Sequence, residues 1–199
     1  MMITNFLKSY NILTDEDIEA YLKLAESKTL KKDDFLVKEG QTSQYIAFIK
    51  SGIFRSFYYS SESEEVTYCF TFKNTLITAY TSWILEEPSA ENIQALTDMD
   101  LLLISKKNMT YLEDHYPNWI KFFKYVAELE YVNLEKRLFL LQRESAEKRY
   151  QDLLENQPEY LKLIPLHYLA SYLGVTQRHL SRIRKNLSFR HLSYFMVSN

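Results

Sequence analysis

A change of hydrophobic period at Pro117 constrains this chain more than any other feature. Before it lie short β-branched and aromatic runs: Phe35-Leu36-Val37, Tyr45 to Ile49, Ile53-Phe54 with Phe57-Tyr58-Tyr59, Val66 to Phe72, and Leu101 to Ile104. Polar punctuation separates them at Glu39-Gly40-Gln41, Lys50-Ser51-Gly52, Ser60 to Glu65 and Ser105 to Asn108. Short strands at near-regular spacing without intervening helices read as a β-sandwich or barrel. After Pro117, which suits the first turn of a helix, nothing breaks a helical pattern until Ser145. At 1.5 Å per residue the segment 117–145 would extend about 43 Å, long for a globular domain.

That long helix carries two apolar stripes. Phe122, Val126 and Leu129 share one face, and Ala127, Tyr131, Leu134, Leu138 and Leu141 follow 4-3-4-3 spacing on another. One stripe can pack on the β-domain while the second pairs with a copy of itself; a single core helix with a wide apolar face fits the same pattern. Ahead of the strands, Thr14 with Asp15, Glu16 and Asp17 signals the start of a helix bearing Ile18, Leu22 and Ala25. Glu147 to Leu154 reads as a separate helix ending near Pro158.

Charge is divided as sharply as period. The whole chain has a net charge of −2, yet residues 160–199 contain Lys162, Arg178, Arg182, Arg184, Lys185 and Arg190 and no acid. An acidic body with a basic end implies an anionic partner for that end alone. Within it, Pro165 opens a helix with Leu166, Leu169, Ala170 and Leu173 on its inner face. Gly174 supplies a left-handed turn, Thr176 caps a second helix, and Leu180, Ile183 and Leu187 form that helix's buried side. This is the pattern of a helix-turn-helix. Its outer face shows Thr176, Gln177, Arg178, Ser181, Arg182 and Lys185, the residue types that grip phosphates and read base edges. An ordinary helical hairpin shares the apolar spacing; the acid-free basic face favours double-stranded DNA.

Other chemistries find little support. No apolar run reaches the roughly 18 residues of a membrane span, and the N-terminus lacks a secretory signal, so a cytoplasmic protein is expected. The single Cys69 permits neither an internal disulfide nor an iron–sulfur cluster, and the four dispersed histidines have no metal spacing. A cupin-like enzyme on the same sandwich would need metal ligands, but Asp34 to Ser105 contains no His. Neither a catalytic residue, a metal site, a cofactor nor an enzymatic activity is expected. A ligand-binding jelly roll whose terminal helices contact another protein is the remaining alternative.

The order of strands, one long helix and a terminal helix-turn-helix resembles the Crp/Fnr-type (catabolite-activator-like) transcription regulators. Lys31 to Gly40 and Ile46 to Arg55 are similar to the opening hairpins of the cyclic-nucleotide-binding jelly roll, and Ile93 to Ser105 to its closing strands. The resemblance implies an α+β chain: an N-terminal jelly roll over 1–116, a dimerisation helix over 117–145, and a C-terminal winged-helix-type helix-turn-helix domain over 146–199. It implies a bacterial homodimer, with RNA polymerase as a further partner and an effector of unknown identity.

Two departures from the family pattern stand out. Cyclic-nucleotide binders of the family carry a Gly-Glu pair and a later Arg followed by Ser or Thr. Here the stretch from Asn74 to Ala95 has no Gly and no Arg, and reads Pro88-Ser89-Ala90-Glu91-Asn92 where the Arg is expected. Because a buried phosphate without a cationic partner is costly, cAMP is not the expected ligand. Phe70, Phe72, Tyr80 and Trp83 are candidates for an apolar effector pocket, or for plain core. In the second helix, the family's Arg-Glu pair is replaced by Gln177-Arg178, while the Arg one turn later is matched by Arg182.

Overall fold

The short apolar runs pair into two four-stranded sheets in the computed structural model, which describes residues 3–197 and the side chains of residues 3–187. By packing, the chain divides into two compact units, Met1–Glu64 with Tyr68–Glu130, and Glu65–Thr67 with Tyr131–Asn199. The first unit opens with α1 (Ile3–Lys8) and α2 (Asp15–Leu24), followed by β1 (Glu26–Leu30), β2 (Phe35–Val37), β3 (Tyr45–Ser51), β4 (Ile53–Tyr59), β5 (Glu65–Phe72) and β6 (Leu76–Ile77). A short α3 (Tyr80–Leu85) precedes β7 (Asn92–Ala95), β8 (Met99–Ser105) and α4 (Lys106–His115). One sheet runs β1-β8-β3-β6 and the other β2-β7-β4-β5, the interleaved order of a jelly roll.

Strand β3 shows why its sequence is an unbroken apolar run. Ala47 and Ile49 point between the sheets, where they join Val37, Phe54, Ile93, Ala95 and Leu101 in one core. Ile46 and Phe48 point the other way, into a second core with Leu102, Ile104, Leu7, Ile18, Tyr21, Leu112, Trp119 and Phe122. Burial on both faces removes the polar alternation that a half-exposed strand would show. The β3–β4 turn depends on Gly52 at φ +100°. A Cβ there would collide with the Met99 sulfur and stand 2.7 Å from the Asp98 carbonyl oxygen.

The helix expected over 117–145 is α5 (Asn118–Arg143). Trp119 and Phe122 are fully buried at its start, and Trp119 stacks on Tyr21 with centroids 5.1 Å apart. Leu129, assigned by spacing to the same stripe as Phe122, is already 39% exposed. Likewise Leu22 of α2 faces outward, and the buried side of that helix is Asp17, Ile18, Ala20 and Tyr21. The division between units falls inside α5, at Glu130–Tyr131.

The second unit continues with α6 (Ala146–Asn156), α7 (Pro158–Leu163), α8 (Leu166–Tyr172) and α9 (Gln177–Val197). Ser145 caps α6, accepting from the Lys148 amide at 3.2 Å, and Tyr150 and Leu153 are its buried residues. No strand follows β8 among the described residues. Pro158 at the first position starts α7.

Candidate nucleic-acid interface

The turn between α8 and α9 is built by three residues with separate tasks. Helix α8 ends in a Schellman arrangement: Gly174 at φ +66° donates to Ser171 O at 3.0 Å and Val175 donates to Ala170 O at 3.0 Å. Thr176 then caps α9 by accepting from the His179 amide at 3.2 Å. Small Ala170 is 2% exposed at the junction, between Leu169 and Leu173 on the inner face of α8. Against these, α9 buries Leu180 completely, with Ile183 and Leu187 one and two turns on. Burial at 3-4 spacing leaves the opposite side of α9 to solvent.

Thr176, Gln177, Arg178, Ser181, Arg182 and Lys185 are all exposed on that side, over about two and a half turns. Arg184 is exposed as well, and Ser181 returns its hydroxyl to Gln177 O at 3.0 Å. The Arg190 side chain, counted in the basic end, lies outside the described residues. Arg182 has a second environment that spacing did not foretell. With His179, Ile183 and Asn186 it lines a cleft of about 470 Å³ whose far wall is Ser145, Ala146 and Glu147, the N-terminal edge of α6. Arg182 therefore sits at the edge of the face, exposed to solvent and lining the cleft beside α6.

On α5, Tyr131, Leu134, Leu138 and Leu141 are 68, 60, 50 and 37% exposed, and Ala127 is half-buried. Among the described residues this stripe is left largely open at Tyr131 and Leu134 and about half open at Leu138. Apolar side chains of this size along one helical line form more contiguous apolar surface than scattered surface residues do.

The four aromatic residues proposed for an effector pocket differ in burial. Phe70 is buried on β5 and Phe72 half-buried, but Tyr80 is 55% exposed on α3. Trp83 belongs to the core with Phe48 and Trp119 and carries the Lys106 ammonium 4.8 Å over its ring. Tyr80 is the first residue of α3, and the buried residues of that helix are Ser82 and Trp83.

What occupies the stretch where cyclic-nucleotide binders place their phosphate ligands is an acid. Tyr68 Oη donates to Glu91 Oε2, and Ser56 stands beside the same phenol. Burial, unopposed by a nearby cation, raises the Glu91 pKa above the ordinary carboxylate value; the Tyr68 bond only moderates that rise. Burial also pushes the Tyr68 phenol up, with the Glu91 charge adding to it. Neighbouring polar side chains are engaged with the backbone. The Ser89 hydroxyl donates to Glu91 O at 2.9 Å and accepts from the Glu91 amide at 3.1 Å, and Asn92 Oδ1 accepts from the Glu39 amide at 3.0 Å. Arg55 is buried beneath the Phe57 ring, at 4.1 Å from its centroid, but strand alternation puts it on the face opposite Phe54 and so outside the inter-sheet core.

Residues 27–116 match the cyclic nucleotide-binding domain family. Among solved structures the chain is similar to FixK2 from Bradyrhizobium japonicum, with TM-score 0.73 and 17% identity over 84% of this chain and 86% of that one. It is similar to a Crp/Fnr-family transcriptional regulator from Eubacterium rectale, with TM-score 0.72 and 16% identity over 94% and 88%. The Thermus thermophilus catabolite activator protein aligns with TM-score 0.58 and 19% identity over 90% and 85%. No curated protein sequence matches the chain. The resemblance to Crp/Fnr-type regulators thus extends over most of the chain as a fold, and the jelly roll is a cyclic-nucleotide-binding-type domain.

Proposed function

We propose that this chain, which has the fold of the Crp/Fnr-type regulators, is a homodimeric, sequence-specific DNA-binding transcription regulator. The observation that carries the reading is the outer face of α9. Thr176, Gln177, Arg178, Ser181, Arg182 and Lys185 stand exposed together on a helix held to its neighbour by the Gly174 turn, in a segment without one acid. Arg178 and Arg182 can make bidentate contacts to guanine, Gln177 to adenine, and Lys185 and Ser181 to phosphate. α8–turn–α9 is read as a helix-turn-helix with α9 in the major groove.

Homodimer formation is supported by the exposed stripe Tyr131, Leu134, Leu138 and Leu141. Two copies joined along it would present their α9 helices to successive major grooves about 34 Å apart, on a near-palindromic site. The protein is read as a bacterial, cytoplasmic, non-catalytic one with RNA polymerase as its further partner. Its jelly roll does not bind cAMP: the Glu91 carboxyl would repel a phosphate, and the region from Asn74 to Ala95 offers no cation to replace the missing arginine. Selection of duplexes from a random library tests the reading. The native chain should enrich near-palindromes and bind them with affinity that falls steeply with salt. Arg182→Ala should weaken the selected duplex by roughly tenfold to a hundredfold and relax the preference at one base position. Unchanged affinity and preference would remove Arg182 from the interface.

A further inference from the structure

Two arginines outside the outer face of α9 bind the ends of helices in the second unit. Arg149, in the first turn of α6, donates Nη1 to Glu144 O at 2.8 Å and to Leu141 O at 3.3 Å, the closing carbonyls of α5. Its Nε donates to Leu173 O at 3.0 Å, at the end of α8. Arg137, on α5, donates Nη2 to Tyr172 O at 2.6 Å and lies 3.6 Å from the centroid of the Tyr172 ring.

The chemistry of these contacts fits a joint. The last carbonyls of a helix lack intrahelical donors and hold the negative end of its dipole. A cation in the first turn of α6 opposes that helix's own dipole, so the position of Arg149 is explained by what it reaches and not by α6. A guanidinium, planar and with five fixed donors spread over three nitrogens, is suited to serve carbonyls of two helices from one side chain; an ammonium of the same charge is a compact point without that fork. Arg149 thus binds α5 and α8 to the same point on α6, and Arg137 makes the second attachment of α8 to α5. Gly174 lies in this joint too: a Cβ on it would stand 3.9 Å from Arg149 Nη2.

We infer that Arg149, with Arg137, is a positioning residue that fixes the α8–turn–α9 pair on the end of α5 and so sets the separation at which two copies read DNA. The inference rests on the DNA-binding reading above, and its mechanism is geometric: neither side chain needs to touch the duplex. If the pair is held at two points on a helix shared with the partner, one distance between half-sites is permitted. If it is held at one, several become accessible.

The experiment uses the full chain and duplexes selected by it, with the half-sites moved one base pair closer or further apart. The native chain should lose at least roughly tenfold in affinity on either altered duplex, as rigid two-fold docking requires. Arg149→Lys keeps the charge but loses the fork. It should bind the selected duplex roughly tenfold more weakly and discriminate spacing less than about threefold, with Arg137→Lys changing in the same direction. Hydrogen exchange of the same proteins without DNA should quicken at residues 144–149 and 172–175 while residues 46–49 of the roll are unaffected. A spacing penalty left intact in Arg149→Lys would overturn the inference, even with faster exchange, because the contact would then be a structural tie alone. Unchanged exchange at both joints would overturn it independently. A native chain that selects no duplex would sink the DNA reading, and the exchange arm would still decide whether Arg149 holds the joint.

Discussion

Asn118 donates to Asp17 Oδ2 at 2.9 Å, joining the first turn of α5 to a capping carboxylate 101 residues earlier in the chain. The same oxygen accepts from the Thr14 amide at 2.7 Å and the Thr14 hydroxyl at 2.8 Å, and Trp119 Nε1 donates to the Asp17 carbonyl at 3.3 Å. A local capping box has become a tertiary clamp, with Asp17 only 4% exposed.

Burial alone would raise the Asp17 pKa, but the hydrogen bonds from Asn118 and Thr14, with the Lys121 charge, outweigh it and hold the carboxyl below its ordinary value. A depressed carboxylate stabilises the fold above its unfolded pKa and loses that contribution as pH falls through the folded one. Asp17→Asn should therefore lower stability at neutral pH by about 2 kcal/mol and flatten the loss of stability on acidification below the ordinary aspartate value. Urea titrations at several pH values check both; parallel pH curves for the two proteins would refute the clamp.

Glu91 runs the other way. Its folded pKa is raised, so ionisation costs more in the folded chain than in the unfolded one. Stability should fall as pH rises from the ordinary glutamate value through the folded one, and then level off. Glu91→Gln keeps an acceptor for Tyr68 and should remove this decline. Thermal melts of the full chain at pH 5 and pH 7, for both proteins, measure the difference.

Gly174→Ala should cost about 1–2 kcal/mol through the left-handed backbone alone, since the added methyl meets nothing nearer than Arg149 Nη2 at 3.9 Å. Gly174→Asn should cost less, because asparagine tolerates that region. If alanine proves neutral by denaturant titration, the turn is not held at φ +66° in solution.

Leu134→Asp combined with Leu138→Asp should halve the mass measured by light scattering. Both side chains are at least half exposed, so the melting temperature of the separated chain should change little. A mass unchanged by the double substitution would place the interface elsewhere.

Legibility in the sequence followed how local each signal was. Phe35 to Val37, the Tyr45 run, the Ile53 run and Leu101 to Ile104 are strands, because β-branched and aromatic residues at short spacing need no distant partner to be recognised. Strand β1, Glu26-Ser27-Lys28-Thr29-Leu30, escaped notice: it is an exposed edge strand whose charged side chains suit an edge and carry no alternation. Helices α3 and α7 are single short turns of six residues each, too brief for period to register. Aromatic character also put Phe70, Phe72, Tyr80 and Trp83 on one list, though Tyr80 is exposed on α3 and Trp83 is buried with Phe48 and Trp119.

By itself, the sequence determined the elements whose causes lie within one or two turns of chain. The Thr14 cap, the Gly174 turn, the Thr176 cap and the inward Leu180, Ile183 and Leu187 all follow from neighbouring residues, as does the acid-free character of the opposite face. Tertiary structure decided which polar groups meet across the chain: Asp17 with Asn118, Tyr68 with Glu91, Arg137 with Tyr172, and Arg149 with Leu173. A backbone turn is specified by the steric limits of its own residues, whereas a charged side chain takes its role from whichever uncompensated carbonyl or carboxylate folding brings within 3 Å.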